Sequence, residues 1–388
     1  MSRVLYVQYT NPAAYPPLMH SAEILVGAGF DVTAIGTLKA GDTLRFPADT
    51  RVDVQLRAFE GVGWQQKAGY LRYAAAVTSW AVRHRPAWIY ASDALSAPAA
   101  STAAQISGAR VVYHEHDSPT PSPRDSRFQR FVLGSRRRLA GRAEICVLPN
   151  AVRAAAFEQS TGRRGAAVVW NCPARDEVRP PRTAGSGMRV LYHGSIVPAR
   201  LPESVIHALT HLPASVSLVV AGYETAGHPG YLDLLAALAT ELRVRDRIEF
   251  AGTIPLRADL LSLCATCDVG LSLMPANPPD VNERSMAGAS NKAFDYLACG
   301  LPLVVSDLRD WRTMFVDEGF AEAVDPASPE SLAKALSAYA ADPQARLARG
   351  ERGRQRILAD WNYERAFQPV LERMLEPPVR ERTLARKG

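Results

Sequence analysis

The sequence predicts an α/β protein with two doubly wound parallel sheets in series. In the first half, short apolar runs alternate with amphipathic or alanine-rich helical stretches. Residues 173–187 then form a segment rich in Pro, Gly and charge without a hydrophobic period, which is typical of a linker. The alternation starts again after it. A chain of 388 residues is too long for one compact core and suits two domains.

In the first half, residues 3–9 and 30–35 are β-rich apolar runs and predict strands. Residues 18–27 between them predict a helix, and Gly29 suits its C-terminal cap. Further short strands are predicted at 88–91, 110–114 and 144–148.

The second half repeats this pattern. Strands are predicted at 189–192, 217–221, 247–250, 269–273 and 301–305. Helices are predicted at 201–212, 231–242, 292–298, 331–341 and 343–360. Because ligands of such sheets bind at the carboxyl ends of the strands, we expect the site in a cleft between the two domains.

These patterns give a domain plan. We expect an N-terminal Rossmann-like domain at 1–172, a linker at 173–187 and a C-terminal Rossmann-like domain at 188–360. Residues 361–376 predict a helix that packs back toward the N-terminal domain. The basic tail at 377–388 lacks an apolar face, and we expect it to be mobile.

Composition narrows the class of protein. Hydrophobic residues make up 47% and charged residues 22%, as in ordinary globular proteins. No apolar run approaches the roughly 20 residues that span a bilayer. The first residues are typical of a strand and lack the features of a signal peptide. We therefore expect a cytoplasmic protein.

The five cysteines do not indicate a disulfide framework, because they are odd in number and scattered. Cys264 and Cys267 form a C-x-x-C inside an apolar run that predicts a buried helix. No second ligand pair is spaced for zinc, so we predict neither a metal site nor a redox motif.

The net charge of +6 is concentrated in residues 124–142, which contain seven arginines. Two interpretations remain open. The segment is either a solvated helix face or a patch that makes weak contact with anionic lipid at the inner face of a membrane, or with an acidic acceptor. Because no aromatic-rich nucleic-acid module accompanies it, we predict no nucleic-acid partner.

Residues 290–307 carry the most specific chemistry. A small polar loop precedes a helix that Ser290 or Asn291 can cap, and free backbone N–H groups at such an end attract phosphate. Lys292 opposes the helix dipole unless an anion lies between them. Asp295, one turn further on, is within reach of ribose hydroxyls. The alternative is a plain crossover helix with a surface lysine.

Two other segments follow predicted strands. In residues 191–201 a strand ends at Gly194, and Arg200 follows in the next loop, where it suits a phosphate or is an ordinary surface arginine. Residues 111–119 place His114 and His116 beside two acids. A metal pair is conceivable there, but a hydrogen-bonding histidine that faces the cleft is favoured because no further ligands are evident.

Together these segments resemble the retaining GT-B glycosyltransferases of family four. Residues 291–305 match that family's stretch Asn-Lys-x-Phe-Glu-Tyr-x-Ala-x-Gly-x-Pro-Val-Val closely. Gly194 with Arg200 matches its strand, glycine and later basic residue, and His116-Asp117 matches its His-acid pair. Residues 143–152 and 168–171 resemble its last first-domain strand and its Val-x-x-Asn segment.

The resemblance implies transfer of a sugar from a nucleoside diphosphate, UDP or GDP, to an acceptor hydroxyl, with retention and without a metal or other cofactor. The domain at 1–172 would bind the acceptor and the domain at 188–360 the nucleotide sugar. Arg200, Lys292 and His116 would be catalytic. The residues implied on the donor side are Gly194, Ser195, Gly222, Thr253, Ile254, Ser290, Asn291, Lys292 and Asp295. The residues implied on the acceptor side are Asn11, Tyr15, His116 and Asp117. The acceptor is left open among small molecules, lipid-linked compounds and glycans.

The sequence departs from the family in two places. Many members carry two glutamates eight positions apart, whereas here the second is Asp295 and the first falls on Ala287. Glu283 or Asp280 would have to replace the missing acid. The second departure is residues 11–17, which are Pro-rich where many members have a glycine-rich acceptor loop.

Three other functions compete with this one. A sugar-nucleotide epimerase of the same architecture is the nearest rival, and a non-catalytic partner of a true transferase is another. A dinucleotide-dependent oxidoreductase is disfavoured, because neither domain has G-x-G-x-x-G after its first strand.

Overall fold

The structure is a computed structural model that describes residues 2–59, 63–181, 183, 185, 187–278 and 280–377. Its contacts divide the chain into two units. The first contains Met1–Asp42, Phe46–Trp170 and the chain from Tyr363 onward, and the second contains Thr43–Arg45 and Asn171–Asn362. The predicted mobile tail lies, except for Pro377, outside the described residues.

The first unit is built on a parallel sheet of seven strands. They are β1 (Arg3–Gln8), β2 (Asp31–Lys39), β3 (Asp53–Phe59), β4 (Trp88–Ser92), β5 (Arg110–His114), β6 (Ile145–Leu148) and β7 (Ala167–Val168). Their order in the sheet is β3-β2-β1-β4-β5-β6-β7. This is the doubly wound order, in which successive strands are added toward one edge of the sheet up to β3 and toward the other edge from β4 onward.

Helices cover both faces of this sheet. They are α1 (Pro16–Gly27), α2 (Trp64–His84), α3 (Ala97–Ser107), α4 (Arg127–Arg142) and α5 (Ala151–Thr161). Alternate strand residues point to opposite faces, so Leu5 and Val7 pack with α2–α5 while Val4 and Tyr6 pack with α1.

The second unit repeats the architecture with six parallel strands. They are β8 (Met188–Ile196), β9 (Val216–Glu224), β10 (Ile248–Gly252), β11 (Val269–Ser272), β12 (Leu303–Ser306) and β13 (Ala321–Val324). In the order β10-β9-β8-β11-β12-β13, strands are likewise added toward one edge up to β10 and toward the other edge from β11 onward.

The remaining helices follow in chain order. They are α6 (Ser204–Leu209), α7 (Tyr231–Glu241), α8 (Arg257–Ala265), α9 (Val281–Arg284), α10 (Asn291–Ala298), α11 (Arg309–Trp311), α12 (Pro329–Ala341), α13 (Pro343–Ala359) and α14 (Tyr363–Leu375). The last, α14, belongs to the first unit, where Tyr363, Phe367, Val370 and Met374 pack in the same core as α1.

The two doubly wound sheets confirm the predicted fold class, while several boundaries were wrong. Strands β8 and β9 do not end at Gly194 and Gly222 but run two residues past them. The helix predicted at 201–212 shrinks to α6. Proline follows Leu201 and Leu212, and a residue before proline is pushed out of the helical region.

Helix α4 shows that the arginine-rich segment is not a uniformly solvated helix face. Arg136 is buried, its guanidinium pairs with both carboxylate oxygens of Glu115, and it lies over the ring of Phe157. The other arginines of the helix are exposed. Among the described residues, no helix combines the length and apolar character that a membrane span needs.

Candidate functional site

Two glycines lie side by side where β8 and β9 approach their carboxyl ends. Gly194 and Gly222 are register partners with φ of 110° and 155°. A Cβ on Gly222 would lie 1.8 Å from the Gly194 carbonyl oxygen, and one on Gly194 would lie 2.8 Å from Cε of Lys292. Only glycine permits this approach, which brings the lysine side chain against the backbone of β8.

Lys292 lies in the first turn of α10. Within the described part of the chain it has no hydrogen-bond or ion-pair partner, and its ammonium lies 5.7 Å from the ring centre of Tyr192. Burial and the nearby Arg200 lower the pKa of Lys292 to about 7, although Asp295 acts in the opposite direction. A cation held without a counter-charge is suited to an anion.

The start of α10 adds backbone donors beside this lysine. Ser290 is the N-cap residue, but its side chain makes no capping hydrogen bond, contrary to the prediction. Oδ1 of Asn291 is buried and unpaired among the described residues. The first N–H groups of the helix are therefore left for another acceptor. The loop before the helix is held by Asn171, whose Nδ2 donates to the carbonyl of Ala289 (2.6 Å).

The other predicted donor residues gather at the same edge of the sheet. Nη1 of Arg200 donates to Oγ of Ser195 (3.0 Å), and no carboxylate of the described residues pairs with this arginine. Oγ1 of Thr253 donates to the carbonyl of Gly222 (3.2 Å), and Ile254 is half-buried in the loop after β10. The carboxyl ends of β8, β9 and β10 therefore carry most of the predicted set.

Asp295 has a different environment from the rest. Its buried carboxylate pairs with Arg257, with Nη2–Oδ1 at 2.7 Å and Nη1–Oδ2 at 3.3 Å. The same guanidinium binds Glu177, in the segment that leads into the second unit, at 2.5 and 2.9 Å. Arg257, which the sequence analysis missed, thus joins a carboxylate before β8 to one in α10. A ribose contact of Asp295 stays a prediction.

His193 is a second residue that the sequence analysis missed. Its Nε2 lies 3.6 Å from Oδ2 of Asp295, and its backbone N–H donates to the hydroxyl of Tyr296. Burial and the positive charges of Lys292 and Arg257 hold its pKa well below the usual value, so the ring is neutral. A histidine directly before Gly194 in an apolar strand was the available signal.

In the first unit, His116 follows β5. It is 5% exposed, its ring centre lies 4.0 Å from that of His114, and neither of its ring nitrogens has a hydrogen-bond partner among the described residues. Burial and nearby Arg153 lower its pKa to about 3. Tyr15 lies beside it, with ring centres 5.1 Å apart. His116 is therefore a neutral imidazole with hydrogen-bonding capacity to spare.

Asp93 is the residue behind His116, and the sequence analysis missed it. Its Oδ1 accepts the backbone N–H groups of His116 (2.7 Å) and Asp117 (3.3 Å), and Oδ2 accepts from Nε2 of Gln8 (3.4 Å). Its backbone lies at φ 63°, ψ 165°, a region populated almost only by glycine. Burial and Asp117 raise its pKa to about 7. An acid directly after the buried strand β4 was the signal.

The remaining predicted acceptor residues have local roles. Oδ1 of Asn11 caps a short turn by accepting from the N–H of Ala13, while its Nδ2 donates to Asp42 (2.9 Å). The Asp117 side chain is 71% exposed, and its carboxylate lies 3.4 Å from Nη1 of Arg153.

The candidate replacements for the missing acid also differ from each other. Oδ1 of Asp280 caps α9 by accepting from the N–H of Asn282 (2.7 Å), whereas the side chain of Glu283 is half-buried. All five cysteines are buried, and no disulfide joins any two of them. Within the described ranges, no group of three or more His, Cys, Asp or Glu side chains is arranged to hold a metal ion.

Known proteins resemble the chain in both halves. Residues 18–173 match the family described as "Glycosyl transferase 4-like domain", and residues 200–372 match "Glycosyl transferase-like". A D-inositol 3-phosphate glycosyltransferase from Xylanimonas cellulosilytica is 32% identical over 169 residues. That alignment spans 43% of this chain and 38% of the relative's length.

Solved structures resemble the whole chain in fold. HepE from Anabaena, crystallised with UDP and glucose, superposes with a TM-score of 0.71 at 18% identity and covers 96% of this chain and 99% of its own. Sucrose-phosphate synthase from Thermosynechococcus elongatus gives 0.72 at 15% identity, with 97% and 99% covered. Both halves of the chain thus match glycosyltransferase families, and the chain has the GT-B fold of these solved structures.

Proposed function

We propose that the protein transfers a sugar from a nucleoside diphosphate donor to an acceptor hydroxyl. The observation that carries the proposal is the pair Lys292 and Arg200, two cations without a carboxylate partner among the described residues. They lie at the carboxyl edge of the second sheet, where the uncapped start of α10 adds backbone donors. A leaving diphosphate needs this arrangement of fixed positive charge.

The geometry supports a defined division of roles. Lys292 and Arg200 would neutralise the diphosphate as the glycosidic bond breaks. Backbone near Gly222, Thr253 and Ile254 would border the base. The carboxylate of Asp295 would contact the ribose, and Arg257 would then contact both this carboxylate and the ligand. His116 would donate or accept a hydrogen bond at the transferred sugar or the acceptor, with Asn11, Tyr15 and Asp117 nearby.

We further propose retention at the anomeric carbon and a reaction that needs no metal. Fixed cations can supply the charge that a divalent ion would supply. The acceptor hydroxyl would attack the anomeric carbon from the face that the diphosphate leaves. A donor phosphate oxygen would accept the proton of that hydroxyl. Proton NMR of the product gives its anomeric configuration, and inversion would contradict retention. Full activity after chelation is expected, and loss that a divalent ion restores would contradict metal independence.

UDP is the proposed nucleotide, with GDP as the alternative, because the fold neighbour HepE was crystallised with UDP. The acceptor class stays open among small molecules, lipid-linked compounds and glycans. A thermal-shift screen of nucleotide sugars tests the choice. A ligand at about 100 times its Kd adds roughly 2.7 kcal/mol of stability. If neither UDP-linked nor GDP-linked sugars raised the melting temperature, the proposed choice of nucleotide would be contradicted.

Single substitutions test the site itself. Arg200→Ala and Lys292→Ala each remove a charge-assisted contact, roughly 1.5–3 kcal/mol, which is about a 10- to 150-fold loss in kcat/KM. Lys334→Ala is the matched control, because Lys334 is an exposed lysine of α12 in the same unit. Normal donor affinity and turnover in both site variants would contradict the proposal.

Incubation with donor alone separates transfer from epimerisation, which needs no acceptor.

A further inference from the structure

The helices α2, α3 and α4 cover one face of the first sheet and share an unusual charge pattern. None of them contains an Asp or a Glu, whereas α2 carries Lys67, Arg72 and Arg83, and α4 carries six arginines. Apart from the buried Arg136, these basic side chains are exposed. In the sequence, acids flank these helices, with Glu60 before α2, Asp93 before α3, and Asp125 and Glu144 on either side of α4. Mixed surfaces normally intersperse both signs, so this face has a single-sign field.

Large apolar side chains are exposed on the same face. Trp64 is 78% exposed and Leu71 is 68% exposed, and they lie seven residues apart on one side of α2. Phe131 of α4 and Leu95 of the turn before α3 are 51% and 40% exposed. An exposed tryptophan adds no stability to a surface that faces only water. The combination of exposed apolar side chains with basic ones therefore indicates an interaction site.

Tyr70 shows that these residues are neighbours. Its hydroxyl donates to the carbonyl of Leu95 (2.9 Å), and its ring packs edge-on against Phe128, with centres 5.1 Å apart. Leu71 follows Tyr70 directly, and Phe131 lies one helical turn after Phe128. The basic residues Lys67, Arg127 and Arg130 flank the same place. We define the docking face as Trp64, Lys67, Leu71, Leu95, Arg127, Arg130 and Phe131.

We propose that the docking face binds the surface of a bilayer that contains anionic lipid. The apolar side chains would enter the boundary between headgroups and acyl chains, and the basic residues would meet the lipid phosphates and carboxylates. Helices that carry basic side chains and no acids complement a negatively charged plane. The proposal extends the arginine-rich segment to a surface of several helices with its own apolar anchors, and it is independent of the sugar donor.

Vesicle co-sedimentation of the full chain tests this proposal. We expect binding to vesicles of phosphatidylcholine and phosphatidylglycerol in equal amounts, much weaker binding to phosphatidylcholine alone, and release by high salt. Each Lys or Arg near such a surface contributes about 1 kcal/mol, or about fivefold in partitioning. Arg127→Glu with Arg130→Glu should therefore lower partitioning at least about twentyfold. Both changes lie in the first turn of α4, where acids favour the helix dipole.

The matched control reverses two charges elsewhere. Arg309→Glu with Lys334→Glu changes net charge equally through exposed positions of the second unit, and should keep most of the binding. Trp64→Ser should weaken binding and abolish the blue shift of tryptophan emission that anionic vesicles cause. Equal binding to neutral vesicles or equal loss in the control would overturn the proposal. Donor binding should be unchanged in every variant, because none alters the donor site.

Discussion

At the residue scale, Lys292 is the most informative side chain of the second unit. Among the described residues it forms no ion pair, and burial and the charge of Arg200 lower its pKa to about 7. A diphosphate would reverse this, since a nearby anion favours the charged ammonium. Ligand binding should therefore be coupled to proton uptake above pH 7, and to little or none below it.

This coupling gives a prediction for donor affinity. The Kd for the nucleoside diphosphate should rise between pH 7 and 9, by up to about tenfold per pH unit. Lys292→Arg keeps the charge at all these pH values and should flatten the profile, whatever its affinity. Titration calorimetry in buffers of different ionisation enthalpy measures the protons taken up. A profile that is as steep in the arginine variant as in the parent protein would contradict the assignment.

Asp93 gives a second prediction at this scale. Its pKa of about 7 lies above the ordinary value near 4. Between pH 4 and pH 7 the folded protein therefore holds a proton on Asp93 that the unfolded chain has released. Its contribution to stability is therefore present below pH 4 and is lost as the pH rises to 7. Asp93→Asn removes this loss while keeping an oxygen that can accept from His116 N–H.

The measurement is the melting temperature of the first unit at pH 5 and pH 8. The parent protein should lose more stability over this interval than Asp93→Asn does. Asp49→Asn, a change of an exposed acid elsewhere in the first unit, is the control and should keep the parent's pH dependence. Parallel pH profiles for the parent and Asp93→Asn would show that Asp93 does not titrate in this range.

At the scale of elements, Arg257 connects the segment before β8 with helix α10. Arg257→Met leaves the buried carboxylate of Asp295 and the half-buried carboxylate of Glu177 without their cation, which should cost about 3–5 kcal/mol. The double variant Arg257→Met with Asp295→Asn should recover part of this loss. Thermal melting of the second unit measures both effects.

The control for this prediction is another arginine of the same unit. Arg189 pairs with Glu249 at the surface, where side chains are 36% and 54% exposed, so Arg189→Met should change stability by no more than about 1 kcal/mol. Arg257→Met should also raise KM for the donor more than it lowers kcat, because α10 carries Lys292. Equal stability of the two methionine variants would contradict a structural role for the Arg257 bridge.

The elements themselves were largely predictable, since buried strands such as β4 and β12 are short apolar runs between helical patterns. The edge strand β3 escaped because it is half-polar and mostly exposed, so it lacks an apolar run. The candidate site was predictable where residues lie at or just after the carboxyl end of a strand, as at Gly194 and His116. Arg257 and Asp295 pair across 38 positions in sequence, and no local pattern indicates such a contact.

At the scale of the whole molecule, the final helix completes the first unit. Phe367 is fully buried in the core that α14 shares with α1 and the sheet, and Nε1 of Trp88 donates to the carbonyl of Met374 (3.2 Å). Phe367→Ala should therefore destabilise the first unit by about 3–5 kcal/mol. Leu375→Ala, in the same helix at a 54% exposed position, should have almost no effect.

Limited proteolysis distinguishes the units in this experiment. Cleavage sites in the first unit should become accessible in Phe367→Ala, while those in the second unit keep the parent's protection. Loss of protection in both units at once would show that they unfold as one cooperative body, and protection as in the parent would contradict the role of α14.

This return of the chain has a consequence for protein synthesis. The sheet of the first unit leaves the ribosome early, but the helix that covers Trp88 and Tyr90 follows only after Asn171–Asn362. At about 5–20 residues per second, those intervening residues take roughly 10–40 s to translate. During that interval a nascent chain presents an aromatic surface with no cover, which is the kind of surface that chaperones bind.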